Sequence, residues 1–125
     1  MGFSKYAIDS DMAANGVTVD LGAGESVRVA RAGNQNFNKE LRKIAKKYGN
    51  AFQSLGDEKL EQIVMGVYCR TVLLGWSGFE KEYSHAAAVE VMLDPANVEF
   101  RELVEKLAST NETFRKEVIE DVVKN

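Results

Sequence analysis

A chain of 125 residues, 45% hydrophobic and 28% charged, has the size and composition of one globular domain spanning 1–125, and it is too apolar for intrinsic disorder. No apolar run approaches the ~18 to 20 residues of a membrane-spanning helix, so no membrane role is expected; the longest runs, Ile63–Val67 and Thr71–Gly75, have Arg70 between them. The net charge of −3 is unevenly spread, because residues 1–48 hold eight Lys/Arg against five Asp/Glu (+3) and residues 49–125 hold eight against fourteen (−6).

The first residues, with Lys5, Asp9 and Asp11, lack the continuous apolar stretch of a secretory signal. Asn15-Gly16 then reads as a turn. Val17, Val19 and Leu21 alternate with Thr18 and Asp20, and Val27 and Val29 alternate with Ser26 and Arg28, which is the period of half-buried strands. Gly22-Ala23-Gly24 supplies the reversal between them. The expected architecture is α+β and mostly helical: an N-terminal β-hairpin over 14–32, followed by about five helices over 36–125.

After the polar stretch Gly33-Asn34-Gln35-Asn36 the period becomes helical. Phe37, Leu41, Ile44, Tyr48, Phe52 and Leu55 form one stripe, with Gly56 ending the helix and fraying expected from Gly49 onward. Asp57 is expected to cap a second helix running to about Leu74, whose broad apolar band places it centrally, with Gly66 permitting close approach by a neighbour. Residues 75–83 read as a loop holding Trp76, Phe79 and Tyr83. Ser84 caps a short helix, His85–Leu93, and Asp94-Pro95 stops and restarts the chain. A fourth helix turns Phe100, Leu103, Val104 and Leu107 inward. A last one carries Phe114, Val118, Ile119, Val122 and Val123.

Catalytic patterns are absent. His85 is the sole histidine, with no Ser, Cys or carboxylate set at triad or metal-ligand spacing, and it reads as a solvated helix start. Cys69, the sole cysteine, excludes an internal disulfide, fits a reducing compartment and reads as a core filler. Gly22 and Gly24 lie between two strands, whereas a phosphate cradle needs a helix start. No enzyme activity, cofactor or metal is therefore expected. The basic run Lys39, Arg42, Lys43, Lys46, Lys47 reads first as a solvated helix face, next as a site for an acidic protein, and last for nucleic acid, because stacking aromatics are not interleaved with it.

Taken in order, VTVDLGAGESVRVAR, LRKIAKKY, TVLLGWSGF, YSHAAAVEVMLDP and EFRELVEKLASTNETFR resemble the tail assembly chaperones of long-tailed (siphovirus-type) phages over about residues 15–115. The valine-rich hairpin, the Leu73-Leu74-Gly75-Trp76-Ser77-Gly78 segment, the Tyr83-Ser84 step and the Asp94-Pro95 restart carry the resemblance. The chain departs from it at Gly75, where the family often has an acidic residue, and at Ala96–Val98, where an aromatic is usual.

The resemblance implies a protein of the host cell cytoplasm that binds the tape measure protein, promotes tail tube assembly and is absent from the mature virion. Self-association is expected of it. A longer product made by frameshifting would reach the tail tube protein, and Val122-Val123-Lys124-Asn125 could be encoded by a slippery heptanucleotide. Two partner surfaces are expected: Trp76 with Phe79, and the stripe Phe114, Val118, Ile119, Val122 and Val123. Core packing is the competing reading of each. A virion structural or head–tail joining protein, or a small regulatory nucleic-acid-binding module, is the alternative function.

Overall fold

In the computed structural model, which describes residues 2–115, the valine alternation forms strand β1 (Val17–Gly22) antiparallel to β2 (Glu25–Val29). The paired residues Val17↔Val29 and Val19↔Val27 share the face that is turned inward. Gly22, Ala23 and Gly24 take φ of 87°, 54° and 79°, and the Asp20 carboxylate accepts from the Gly22 amide at 2.9 Å. Only glycine adopts such φ freely, so the reversal depends on the two glycines.

The expected N-terminal hairpin with helices after it is not what forms. A 3₁₀ turn (Gly2–Tyr6) and helix α1 (Ser10–Asn15) precede the hairpin, and a third strand, β3 (Leu73–Ser77), adds antiparallel to β2 to give a sheet of order β1-β2-β3. α1 is short but well started: Asp9 Oδ1 accepts from the Met12 amide at 2.9 Å. The strand replaces both the end of the expected second helix and the start of the expected loop. Its pairs Val27↔Trp76 and Val29↔Leu73 lie far apart in sequence, so no local period announces them.

The helical part follows the apolar stripes. Helix α2 (Gln35–Tyr48) stops at Gly49, φ 59°, and a 3₁₀ segment (Gly49–Ser54) takes over, so the stripe is continuous while the α-helix is not. Asn34, within the polar stretch before α2, is only 7% exposed. It accepts from the Phe37 amide at 3.0 Å and donates to the carbonyls of Arg31 (2.7 Å) and Thr71 (2.9 Å). Helix α3 (Asp57–Thr71) is capped by Gly56 rather than Asp57, which is its first residue, and ends three residues before Leu74. Gly66 has open space where a Cβ would point, so the approach of the His85 ring to its carbonyl, at 2.9 Å, does not depend on the missing side chain.

Ser84 caps helix α4 (His85–Leu93) by accepting from the Ala87 amide at 3.0 Å, and Asp94 caps the 3₁₀ turn Pro95–Asn97 that leads into helix α5 (Val98–Ser109). A 3₁₀ turn, Asn111–Phe114, occupies the start of the expected last helix, and the rest of that helix falls outside the described residues.

The core lies between the inner sheet face and the helices. Val27, Val29, Val67, Val72, Leu73, Met92, Val104 and Phe114 are essentially inaccessible to solvent. Each such side chain contributes about 1.5–3 kcal/mol by burial. The main chain between β2 and α2 ties four elements together: Ala30 donates to Val72, Arg31 to Ala13 and Ala32 to Ala108, at 2.8, 2.8 and 2.9 Å.

Candidate functional site

Trp76, on β3, belongs to the inner face, but the strand ends at Ser77 and its ring lies at the sheet's margin, half-buried. Gly78 turns the chain there with φ 88°. A side chain at this position would place its Cβ 2.0 Å from the Gly24 carbonyl oxygen, so the two tips of the sheet touch backbone to backbone. This contact sends Phe79 back over Trp76.

Four aromatic rings then meet edge to face: Trp76 with Tyr83 (5.1 Å, 89°), Trp76 with Phe100 (6.0 Å, 85°), Phe79 with Phe100 (5.6 Å, 75°) and Trp76 with Phe79 (6.2 Å, 67°). Edge-on rings of this spacing attract beyond simple burial. Polar ends are fixed as well. The indole N–H donates to the Lys81 carbonyl at 2.7 Å, and the Tyr83 hydroxyl lies 2.8 Å from the Leu73 carbonyl and 3.1 Å from that of Cys69. Lys81 pairs with Glu90 on α4 at 2.8 Å.

The cluster walls a recess of about 310 Å³ lined by Trp76, Phe79, Glu80, Lys81, Val91, Asn97 and Phe100. Its floor is aromatic and aliphatic, and its rim carries one ammonium, one carboxylate and one amide. Such a recess holds apolar side chains while the rim orients them. Trp76 and Phe79 were expected from the sequence to form a site. Phe100 and Val91 join them only through the packing of α4 and α5, which no local pattern encodes. The Pro95 restart placed Phe100 inward without indicating which ring it would meet.

The second expected surface is divided. Phe114 is fully buried, and its carbonyl accepts from the Asp9 amide at 2.8 Å, so in this structure it holds the N-terminal segment and offers nothing to a partner. Val118, Ile119, Val122 and Val123 lie outside the described residues.

The basic run lies where the period places it. Lys39, Arg42, Lys43, Lys46 and Lys47 are exposed on α2, within an arc of roughly 140° opposite the apolar stripe. None of the five forms an ion pair with a described residue; Glu40, the one acidic residue among them, is taken by Arg70 at 2.5 Å.

Other reactive groups face inward or are used structurally. Cys69 is 1% exposed, and burial pushes its thiol up to about 12, away from the thiolate that nucleophilic chemistry requires. Burial also raises the phenols of Tyr68 and Tyr83. The Nε2 of His85 lies 2.9 Å from the Gly66 carbonyl and 3.5 Å from the Arg70 guanidinium, so the ring docks the start of α4 on α3. Among the described residues no three His, Cys, Asp or Glu side chains converge as a metal site, and no helix is long and apolar enough to cross a membrane.

No curated protein and no solved structure matches the chain. Residues 32–125 match the model of the YdaY prophage protein family, which takes in α2 to α5, β3 and the aromatic recess and leaves out α1 and the hairpin. That match covers well over half of the sequence, so the chain belongs to the YdaY prophage protein family and is of phage origin.

Proposed function

We propose that this protein is a phage tail assembly chaperone, a non-enzymatic binder that holds the tape measure protein in the host cytoplasm, promotes tail tube assembly and is absent from the finished virion. The phage origin and the ordered motifs over residues 15–115 support this reading. The observation that carries it is the recess built from Trp76, Phe79 and Phe100 beside the Leu73–Gly78 segment. A helical client presents large apolar side chains one turn apart, and an open aromatic recess with a charged rim suits one or two of them without requiring a cofactor. Contacts of that size are individually weak, which permits displacement when tube subunits arrive. A longer frameshifted form would carry the link to the tail tube protein; a coding sequence with AAG at Lys124 removes the proposed slip site.

The test is co-expression with the tape measure protein of the same prophage. Wild-type protein should keep the client soluble, and Phe79→Glu, folded by circular dichroism, should lose most of that effect because the charge sits on the recess wall. A client that precipitates equally with and without the wild-type protein overturns the chaperone reading. Equal rescue by Phe79→Glu overturns the recess as its site and shifts attention to Val118 and Val122. Recovery of the protein in purified particles favours a virion structural or joining role instead.

A further inference from the structure

Residues four apart on a helix stand almost above one another, so α2 carries two neighbouring rows: Lys39, Lys43 and Lys47 in one, Glu40, Ile44 and Tyr48 in the other. Between these rows and the Ile63, Gly66 and Arg70 positions of α3 runs a groove. Arg70 reaches across it to Glu40 and divides it into two recesses. The first, of about 320 Å³, is polar and sets Lys39, Lys43 and Arg70 around the Glu40 carboxylate. The second, of about 280 Å³, is lined by half-buried Ile44, Tyr48 and Ile63, with exposed Lys47 beside them and open space where a Gly66 Cβ would point. The lining therefore carries four cations against one carboxylate, and the three lysines form no ion pair with a described residue. On α3, Glu58 and Lys59, one turn before Gln62 and Ile63, offset each other.

We infer that the α2–α3 groove is the docking site for an amphipathic helix of another protein, one with an acidic flank beside its apolar stripe. From Asn36 to Tyr48 the groove is about 18 Å long, which matches roughly twelve residues of a helix laid along it. Its two halves ask for two kinds of side chain. Carboxylates of the partner meet Lys39, Lys43 and Arg70, while its aliphatic side chains settle on Ile44, Tyr48 and Ile63, close to the backbone at Gly66. Phosphates would be drawn to the same cations, but the apolar half is mainly aliphatic. Its one ring, Tyr48, lies against Phe52 (6.1 Å, 53°), so bases find no free stacking platform there. The groove shares no lining residue with the aromatic recess, so it is a second site that does not rest on the chaperone reading.

Fluorescence anisotropy with a labelled peptide of about 14 residues, with leucines at steps of three and four, glutamates along one flank and alanines elsewhere, tests this on the full chain. Binding should saturate at about 50 mM salt and weaken as salt rises. Lys43→Glu/Lys47→Glu should weaken it at least about tenfold. Arg42→Glu/Lys46→Glu makes the same change in net charge outside the groove lining and should cost less than about threefold. Replacing the peptide's leucines with serine, or its glutamates with lysine, should abolish binding by the wild-type chain, and Phe79→Glu should bind the original peptide as the wild type does. Absence of saturable binding by the wild type overturns the proposal. Equal losses from the two charge reversals, or undiminished binding of the serine peptide, reduce the contact to diffuse attraction and overturn it too. Loss of binding in Phe79→Glu places the peptide in the aromatic recess instead. Oligothymidine that binds more tightly than the peptide makes the groove a nucleic-acid site, and a wild-type dimer that Lys43→Glu/Lys47→Glu dissociates makes it a contact between copies; either result also overturns the proposal.

Discussion

Two glycines that look alike in the sequence have opposite roles, and alanine at each tells them apart. Gly78 has φ 88° and stands where a Cβ would come 2.0 Å from the Gly24 carbonyl oxygen; neither partner of that clash is a flexible side-chain end. Left-handed backbone alone costs roughly 1–2 kcal/mol for an alanine, and relieving the clash means parting the hairpin tip from the end of β3. Gly66 lies inside α3 with open space where its Cβ would point. Alanine in a helix interior is favoured over glycine by about 0.8–1.0 kcal/mol. Urea denaturation should therefore show Gly78→Ala losing at least about 2 kcal/mol and Gly66→Ala gaining up to about 1. Equal effects of the two would mean that the tip-to-tip contact is not part of the native state. Gly78→Ala should also loosen Phe79, and the Trp76 emission would report it.

At the scale of elements, what the sequence revealed and what it hid separate by range. The hairpin and the stripe from Phe37 to Leu55 rest on contacts within a few residues and periodicity located them, while the Ser84 cap and the Asp94-Pro95 restart were legible from residue type alone. That Asp94 also caps the turn after it came only from the fold. β3 depends on Val27 and Val29, more than forty residues upstream, and a short apolar run such as Val72–Leu74 fits a buried helix end as well as a strand. Asn34 was missed for the same reason, because its second acceptor is the Thr71 carbonyl. The candidate site divides likewise: Trp76 and Phe79 stood out as aromatics among glycines, while Phe100 reaches them only through the fold. The end of α3 and the start of β3 also set a pH limit. Cys69 has its thiol raised to about 12 by burial, Tyr68 and Tyr83 are raised by the same cause, and the Tyr83 hydroxyl spans the carbonyls of Cys69 and Leu73. All three lose their protons more readily unfolded than folded. Their contribution is thus complete below about pH 9, the ordinary thiol range, and is lost as pH rises towards 12. The urea midpoint should be level from pH 7 to 8.5 and fall steadily above pH 9, with Cys69→Ala flattening the first part of the fall; a midpoint unchanged to pH 11 would contradict the burial of these groups.

For the whole molecule, the folding unit is larger than the stretch that identifies the family. The match begins at residue 32, yet β2, the central strand, lies at 25–29 and contributes Val27 and Val29, both fully buried. Without it β3 would have no neighbour, and the inner ends of α4 and α5 would lose the surface they cover. Ala30 adds a main-chain bond to Val72, and the Asp9 amide holds the Phe114 carbonyl. A single lost valine of this kind costs roughly 0.5–3 kcal/mol, and a small domain has only about 5–15 kcal/mol in total. A fragment of residues 32–125 should therefore show helical circular dichroism without a cooperative thermal transition. A fragment of residues 16–125 keeps the hairpin and gives up α1 and the Asp9 tie; it should melt cooperatively at a lower temperature than the full chain. The two fragments differ chiefly in the hairpin, so the contrast measures the sheet's part in closing the core. If residues 32–125 melted as sharply as the full chain, the helices would be closing the core unaided, and the aromatic recess could be dissected without the sheet that now positions Trp76.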